Sequence, residues 1–427
     1  MWEKLALVWK LKEVRQKLLV ILGLLILFRL VAHIPVPGVN ITALNNFFQS
    51  NQLFGLLNVF SGGGYDTFSV VMLGVGPYIT ASIIFQLLTM IVPSLEKIQK
   101  EGERGQEQIN RWTRYLAVPM AILQGYGTIT LIRRASPTIL PELNVFQFVT
   151  ILITITAGTL FLMWIGEIIS EKKLGNGISL MIFAGIIARV PSEIQQTAAI
   201  FDSSNIMNYA IFGAVGILTI MAVVFVTEAV RKIPVTYARH IRGAQSGSST
   251  GAESFLPLRV NQAGVIPIIF AVSLILTPTL IAQFFVNASQ PWLRDAANTI
   301  VRVLQQGTVA YDISYFLLVF IFTYFYTAVV FQPQQVAENI QKQGGFIPGI
   351  RPGKMTADYL NYVTNRIMLA GAGFLGIIAL LPNVVQRFTN ITTLIVGGTS
   401  LLIVVSVVIE TVKQIESQLI VRDYEGF

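Results

Sequence analysis

Residues 60–88, FSGGGYDTFSVVMLGVGPYITASIIFQLL, begin like a membrane span and break twice. Gly62, Gly63 and Gly64 favour a turn, because glycine accepts backbone angles that other residues avoid. The apolar run that follows, about 68–73, rises ~1.5 Å per residue as a helix, too little to cross a ~30 Å hydrocarbon core. Gly74, Gly76 and Pro77 make the second break, and proline suits the first turn of a new helix, which continues apolar over 79–92. Broken backbone at membrane depth leaves amide groups unpaired. It is tolerated only inside protein or beside a water-filled cavity. The stretch is therefore either a re-entrant segment kinked for packing or part of a path through the membrane.

Such a segment needs a membrane protein around it, and the composition provides one. Of 427 residues, 53% are hydrophobic and 12% charged, where soluble chains carry roughly 25% charged residues. Apolar segments long enough to span lie at about 18–34, 75–92, 115–132, 146–168, 178–190, 209–230, 263–285, 313–331, 367–385 and 394–412. That predicts an all-α polytopic protein of ten transmembrane helices with a short half-helix at about 60–73. Arg189 and Pro191 interrupt the fifth segment. The N-terminal run is read as a retained first span, since HIPVPG and no small-residue cleavage site follows it.

Placement of the basic residues sets the expected orientation. Of the 30 Lys and Arg, 23 fall before the first span, at 93–114, 169–174, 231–259 and 338–366, or in the tail. That bias predicts both termini on the cytoplasmic side. Spans one to five and six to ten, residues 1–200 and 201–427, form two halves, and an odd number of spans in each would set them inverted. Two inner connections, 231–261 and 333–365, are longer than turns require. The first holds RGAQSGSSTGAES, a Gly/Ser-rich tip, and the second GGFIPGIRPG, a turn with Arg351 at its apex. Both read either as functional loops or as solvated basic loops that only set topology.

Several chemistries are excluded. The chain has no cysteine, and its two histidines, His33 and His240, lack metal-ligand spacing. No HExxH, GxxxxGK[ST] or GxSxG occurs, so neither an enzyme site nor a metal or cofactor is expected. Charges within spans, Arg29, Glu167, Glu228 and Glu410, lie toward span ends, whereas ion-coupled carriers hold ionisable groups at mid-membrane. Gln86 reads as an interhelical hydrogen-bonding residue. On residues alone, a solute transporter with broken helices and a scaffold that recruits partners through basic loops remain rivals to a passive pathway.

Ten blocks carry a resemblance. FRLVAHIPVPGVN at 28–40, LNVFSGGG at 57–64, GPYITASIIFQLL at 76–88, LEKIQKEGERG at 95–105, GNGISLMIFAGI at 175–186, LPLRVNQAGVIPIIFA at 256–271, FTYFYTAVVF at 322–331, GGFIPGIRPG at 344–353, GGTSLLIVV at 397–405 and the closing RDYEGF follow one another along the chain. Together they resemble the SecY family, the channel subunits of bacterial and plastid protein translocons. The resemblance implies two pseudo-symmetric inverted halves around an hourglass pore. A plug would match Ser61, Gly62, Gly63, Gly64, Tyr65, Asp66, Thr67, Phe68, Ser69 and Val70. A pore ring would comprise Val75, Ile79, Ile182, Ile186, Ile269 and Ile403, and a lateral gate would lie between spans two and three and spans seven and eight. Partner docking would fall to Arg351, with Arg239 and Arg242 the nearest basic matches in the other loop. There the chain departs from the family's compact basic tip. The implied partners are SecE, a SecG-like subunit, the SecA motor ATPase, the ribosome, and unfolded secretory and membrane proteins in a lipid bilayer. The implied location is the bacterial cytoplasmic membrane, with the thylakoid membrane as the alternative.

Overall fold

The computed structural model describes residues 11–37, 39–40, 43–44, 61–65, 67–135, 139–140, 144–199, 206–237, 253–286, 288–305, 307–389 and 398–425. Long helices dominate: α1 (Lys12–Ala32), α2 (Gly76–Ile91), α3 (Pro93–Lys100), α4 (Glu103–Ala135), α5 (Val145–Glu171), α6 (Gly177–Ala199), α7 (Ile206–Glu228), α8 (Ile266–Phe285), α9 (Pro291–Val303), α10 (Val309–Val330), α11 (Pro333–Lys342), α12 (Lys354–Thr389) and α13 (Gly398–Glu425). A helix underlies each of the ten expected spans, the last from residue 398 onward. Among the described residues, five helices are long and apolar enough to cross a membrane by length and composition alone. The pair α2 and α3, bent by 102°, makes a sixth candidate. At that bend α2 ends and α3 turns aside. Pro93 starts α3, which leaves Val92 extended, as residues before proline are.

One expectation about backbone needs correction. The fifth segment is not broken at Arg189 and Pro191: α6 runs through both, with Pro191 inside it, and the Ser192 hydroxyl donates to the Arg189 carbonyl at 2.8 Å.

The protein is mostly helical, as expected, and one small sheet stands beside the helices. The long connection after α7 forms a hairpin, β1 (Val230–Tyr237) against β2 (Glu253–Arg259), antiparallel from Val230↔Arg259 to Thr236↔Glu253. β3 (Gly345–Phe346), from the other long connection, adds to β1 at Thr236 and Tyr237, giving the order β2-β1-β3. Proline is kept off central strand positions because it donates no ladder hydrogen bond. Pro257 lies on the edge strand β2, and Pro234 stands where β1 has β2 alone as a neighbour. Ile233, Val235 and Leu258 enter a small apolar core with Ile340 of α11, Ile347, and Leu360 and Val363 of α12. The two long connections are thus one folded platform at one end of the bundle.

Candidate functional site: an apolar constriction and the segment beneath it

Helices α2, α6, α8 and α13 each bring one or two of the six expected ring residues to the same place. Val75, Ile79, Ile182, Ile186, Ile269 and Ile403 all belong to one buried apolar cluster, and none is more than 5% exposed. The local reasons differ. Val75 caps α2, and the Ile79 amide donates to its carbonyl at 3.0 Å, which fixes the two side chains one turn apart. Ile182 and Ile186 have the same spacing within α6. Ile269 lies in the first turn of α8, where Pro267 starts the helix without losing a needed amide. Ile403 sits near the start of α13, beside buried Leu402.

The described residues of the expected half-helix are not helical. The described residues from Ser61 to Val75 lie in a succession of turns. Glycine explains part of this. Gly62 has φ +66°, and a Cβ there would lie 2.4 Å from the Phe28 ring. The rest comes from α1 and the chain just beyond it. The Arg29 guanidinium donates to the Gly62 carbonyl, and the Thr67 hydroxyl donates to the Ala32 carbonyl at 2.9 Å. A two-residue bridge pairs Pro35 with Ser69: the Val36 amide donates to Phe68 (2.9 Å) and the Val70 amide to Ile34 (3.1 Å). Backbone groups that a helix would satisfy internally are satisfied across to the chain after α1.

This segment joins two cores. Val71 belongs to the cluster of the six ring residues. Tyr65, Phe68, Met72 and Leu73 belong to a second cluster with Ile129 and Ile132 of α4 and Ile151 and Ile155 of α5. Its backbone also touches α5 directly: a Cβ on Gly158 would lie 2.1 Å from the Val70 carbonyl oxygen. One loose end remains. Among the described residues the Ser69 hydroxyl oxygen is buried without a hydrogen-bond partner, and a group left unpaired costs about 1–3 kcal/mol. Asp66 of the expected plug, and Arg239 and Arg242 of the expected docking set, lie outside the described residues.

Sequence reasoning missed Val71, Arg29 as a backbone clamp and Gly158. A Val–Val pair beside the second break was the only signal for the first. A lone glycine in an apolar helix carries no signal for the last. Gln86 is a correction: its amide donates to Ser82 one turn back in α2, at 3.3 Å, and the interhelical bond is made by Gln124 of α4 to Thr80 at 3.2 Å. Asp312 was also missed. It lies in the first turn of α10, is 7% exposed, and accepts a 2.8 Å hydrogen bond from Asn383 of α12. A carboxylate in a helix's first turn meets the positive end of its dipole. It sits at a span end, away from mid-bundle.

Helix α8 packs on both α2 and α4. Gly127 of α4 lies so near Phe284 of α8 that a Cβ on it would be 3.0 Å from the ring. Phe270 of α8 meets Phe322 and Tyr326 of α10 edge-on, with centroids 5.8 and 6.1 Å apart. At the platform end, Arg351 is exposed in a turn between Gly349 (φ +81°) and Gly353 (φ +97°). Its carbonyl accepts from the Thr356 hydroxyl at 2.9 Å, and Ile347 and Ile350 on its N-terminal side pack into the platform core. Among the described residues no cluster of His, Asp or Glu could hold a metal ion.

Fold and cluster together define a polytopic helical membrane protein in which six buried apolar residues from four helices gather in one cluster, with Val71 of the turn-rich segment packed among them. The SecY family model matches residues 69–412. The protein translocase subunit SecY of Streptomyces coelicolor is 44% identical over 436 residues, covering 98% of each chain. The chain belongs to the SecY family. In fold it is similar to a solved protein-conducting channel, with a TM-score of 0.62 and 18% identity over 94% of this chain and 91% of that one. It is also similar to Sec61 in a canine ribosome–channel complex, with a TM-score of 0.59 and 17% identity over 94% and 91%.

Proposed function

We propose that the chain is the pore-forming subunit of a protein translocon, which passes unfolded secretory proteins across the membrane and releases apolar segments sideways into lipid. The observation that carries this reading is the burial of six branched apolar residues from four helices in one cluster, with Val71 of the turn-rich segment among them. Branched apolar side chains around a narrow path resist wetting when closed and yield to a passing chain. The turn-rich segment 61–73 is the plug. Helices α2 and α4 on one side and α8 and α10 on the other are the gate. A Leu, Ile or Phe leaving through it gains about 0.3–0.6 kcal/mol on reaching the centre of the bilayer.

The subunit has no catalytic residues and takes its driving force from a partner at the platform. The SecA motor and the ribosome are the candidates, the latter supported by the likeness to a ribosome-bound Sec61. SecE would clamp the two halves, 1–200 and 201–427, and a SecG-like subunit would complete the assembly. Both termini and the platform would face the cytoplasm, in the bacterial inner membrane.

Crosslinking tests this. A photoreactive residue is placed at Ile79, Ile186 or Ile403, and at Ile217, which is 64% exposed on α7. A stalled secretory chain should crosslink at the first three and not at Ile217. Equal labelling at all four, or labelling at Ile217 alone, would rule out the channel path through the cluster.

A further inference from the structure

Helix α9 joins two gate helices without spanning anything itself. It begins six residues after α8 ends and finishes six before α10 starts, at the end of the bundle opposite the three-stranded platform. At 100° per residue its side chains fall into three sectors. Leu293, Ala297 and Val301 form one, and they are the packed side: Ala297 is buried and the other two half-buried, with α9 lying on α8. Arg294, Asp295, Asn298 and Arg302 form the polar sector. The remaining sector, Trp292, Ala296, Ile300 and Val303, is apolar yet exposed, with Trp292 68%, Ile300 39% and Val303 40% exposed.

Burying that apolar sector needs an occupant, and three observations select one. The flanking spans also expose apolar side chains on their adjoining ends, Ile281 and Phe285 of α8, and Val309 and Ile313 of α10. Tryptophan, at the N-terminal edge, is the side chain favoured where hydrocarbon meets headgroups. Two arginines stand on the polar side, and Arg294 is 53% exposed with the Asp295 carboxylate 3.9 Å away. An apolar face beside arginines on a short amphipathic helix is the pattern of a helix lying in the bilayer interface.

We propose that α9 is an interfacial float: Trp292, Ala296, Ile300 and Val303 enter the acyl–headgroup boundary of the leaflet opposite the platform, and Arg294 and Arg302 reach lipid phosphates. It would tie the adjoining ends of α8 and α10 to the membrane surface, so that the two move as one piece at that level. This assignment does not depend on the channel reading.

The absence of cysteine from the chain makes a direct test simple. Single Ala296→Cys, Ile300→Cys and Asn298→Cys variants of the full chain are labelled with an environment-sensitive fluorophore. They are then reconstituted into vesicles of phosphatidylcholine and phosphatidylglycerol, with either a nitroxide on the upper acyl chain or iodide in the water as the quencher. Labels at 296 and 300 should be quenched several-fold more by the acyl nitroxide than the label at 298, which iodide should reach. Quenching of all three by iodide alone would place the stripe in water and overturn the proposal. Protection of 296 and 300 from both quenchers would mean that a protein covers them, and would overturn it equally. Adding Arg294→Gln and Arg302→Gln to the Ala296→Cys chain should lower acyl-nitroxide quenching, and unchanged quenching would remove the phosphate contacts from the proposal.

Discussion

Gly158 of α5 and Val70 of the turn-rich segment touch backbone to backbone: a Cβ on the glycine would stand 2.1 Å from the Val70 carbonyl oxygen. Neither partner is a flexible side-chain tip, so an added methyl must push the segment away from its seat. Overpacking of this kind costs about 1–3 kcal/mol. Alanine also favours a helix over glycine by about 1 kcal/mol. That gain is the same whether the segment is seated or displaced, so it drops out of the comparison. Gly158→Ala is therefore expected to shift the segment toward the displaced state. Ion conductance of the resting, partner-free protein in planar bilayers should rise, and wild-type conductance would show that the segment does not seal a pore.

Ile403 is 1% exposed in the cluster shared by the six ring residues. Ile403→Asn places an amide among apolar side chains, a cost of about 1–3 kcal/mol where its groups stay dry and unpaired. Water entering the constriction is the way to avoid that cost. The expected outcome is a looser seal, with export of precursors carrying defective signal sequences rising well above background at matched protein levels. Background export at normal abundance would place Ile403 in ordinary core.

Gly127 gives α4 its close approach to α8, with Phe284 filling the space that a side chain would need. Gly127→Leu inserts a wedge between helices assigned to opposite sides of the gate. The ring contact is with a side chain, which can turn, so the effect should be smaller than a backbone clash would give, on the order of 1 kcal/mol. Distances between spin labels on α4 and α8 should lengthen in the resting state. Unchanged distances would mean that Phe284 rotates aside and the gate stays shut.

These sites were unequally legible in the sequence. The two breaks at 62–64 and 74–77 were readable because glycine and proline act locally. The conformation between them was not. It depends on the Arg29 clamp and on the Pro35–Ser69 bridge, contacts with residues about 33 positions away. The ring residues carry no local signal at all, since Ile182 or Ile403 in isolation looks like any apolar helix residue. Only the order of family motifs singled them out, and the fold then places them in one cluster. The platform strands were hidden by Pro234 and Pro257 and by short, half-buried alternation, which reads as loop until β3 arrives to complete the sheet, Phe346 pairing with Thr236 from 110 residues away. Helix α9 escaped notice because its apolar stripe is too short for a span and too narrow for a core helix.

Arg351 is held by its surroundings without being used by them. The turn it occupies is fixed from both sides, by Ile347 and Ile350 in the platform core and by the Thr356 hydroxyl on the arginine's own carbonyl. These contacts involve its neighbours and its backbone, while the side chain itself is exposed. Exposed substitutions away from packing usually change stability within about ±0.5 kcal/mol, so Arg351→Glu should fold and insert normally. A rigid turn that presents a guanidinium outward suits charge-assisted hydrogen bonds to a partner's carboxylates or phosphates, roughly twice as strong as neutral ones. Reversing the charge turns that attraction into repulsion. If the charge served topology alone, it would be one among the 23 basic residues on the inner segments, and its reversal would hardly register. The measurement is translocation of a secretory precursor into vesicles that hold matched amounts of each channel, driven by motor or ribosome. Loss of transport with normal insertion is the expected result, and a rate near that of the unmodified chain would reduce Arg351 to a topology charge.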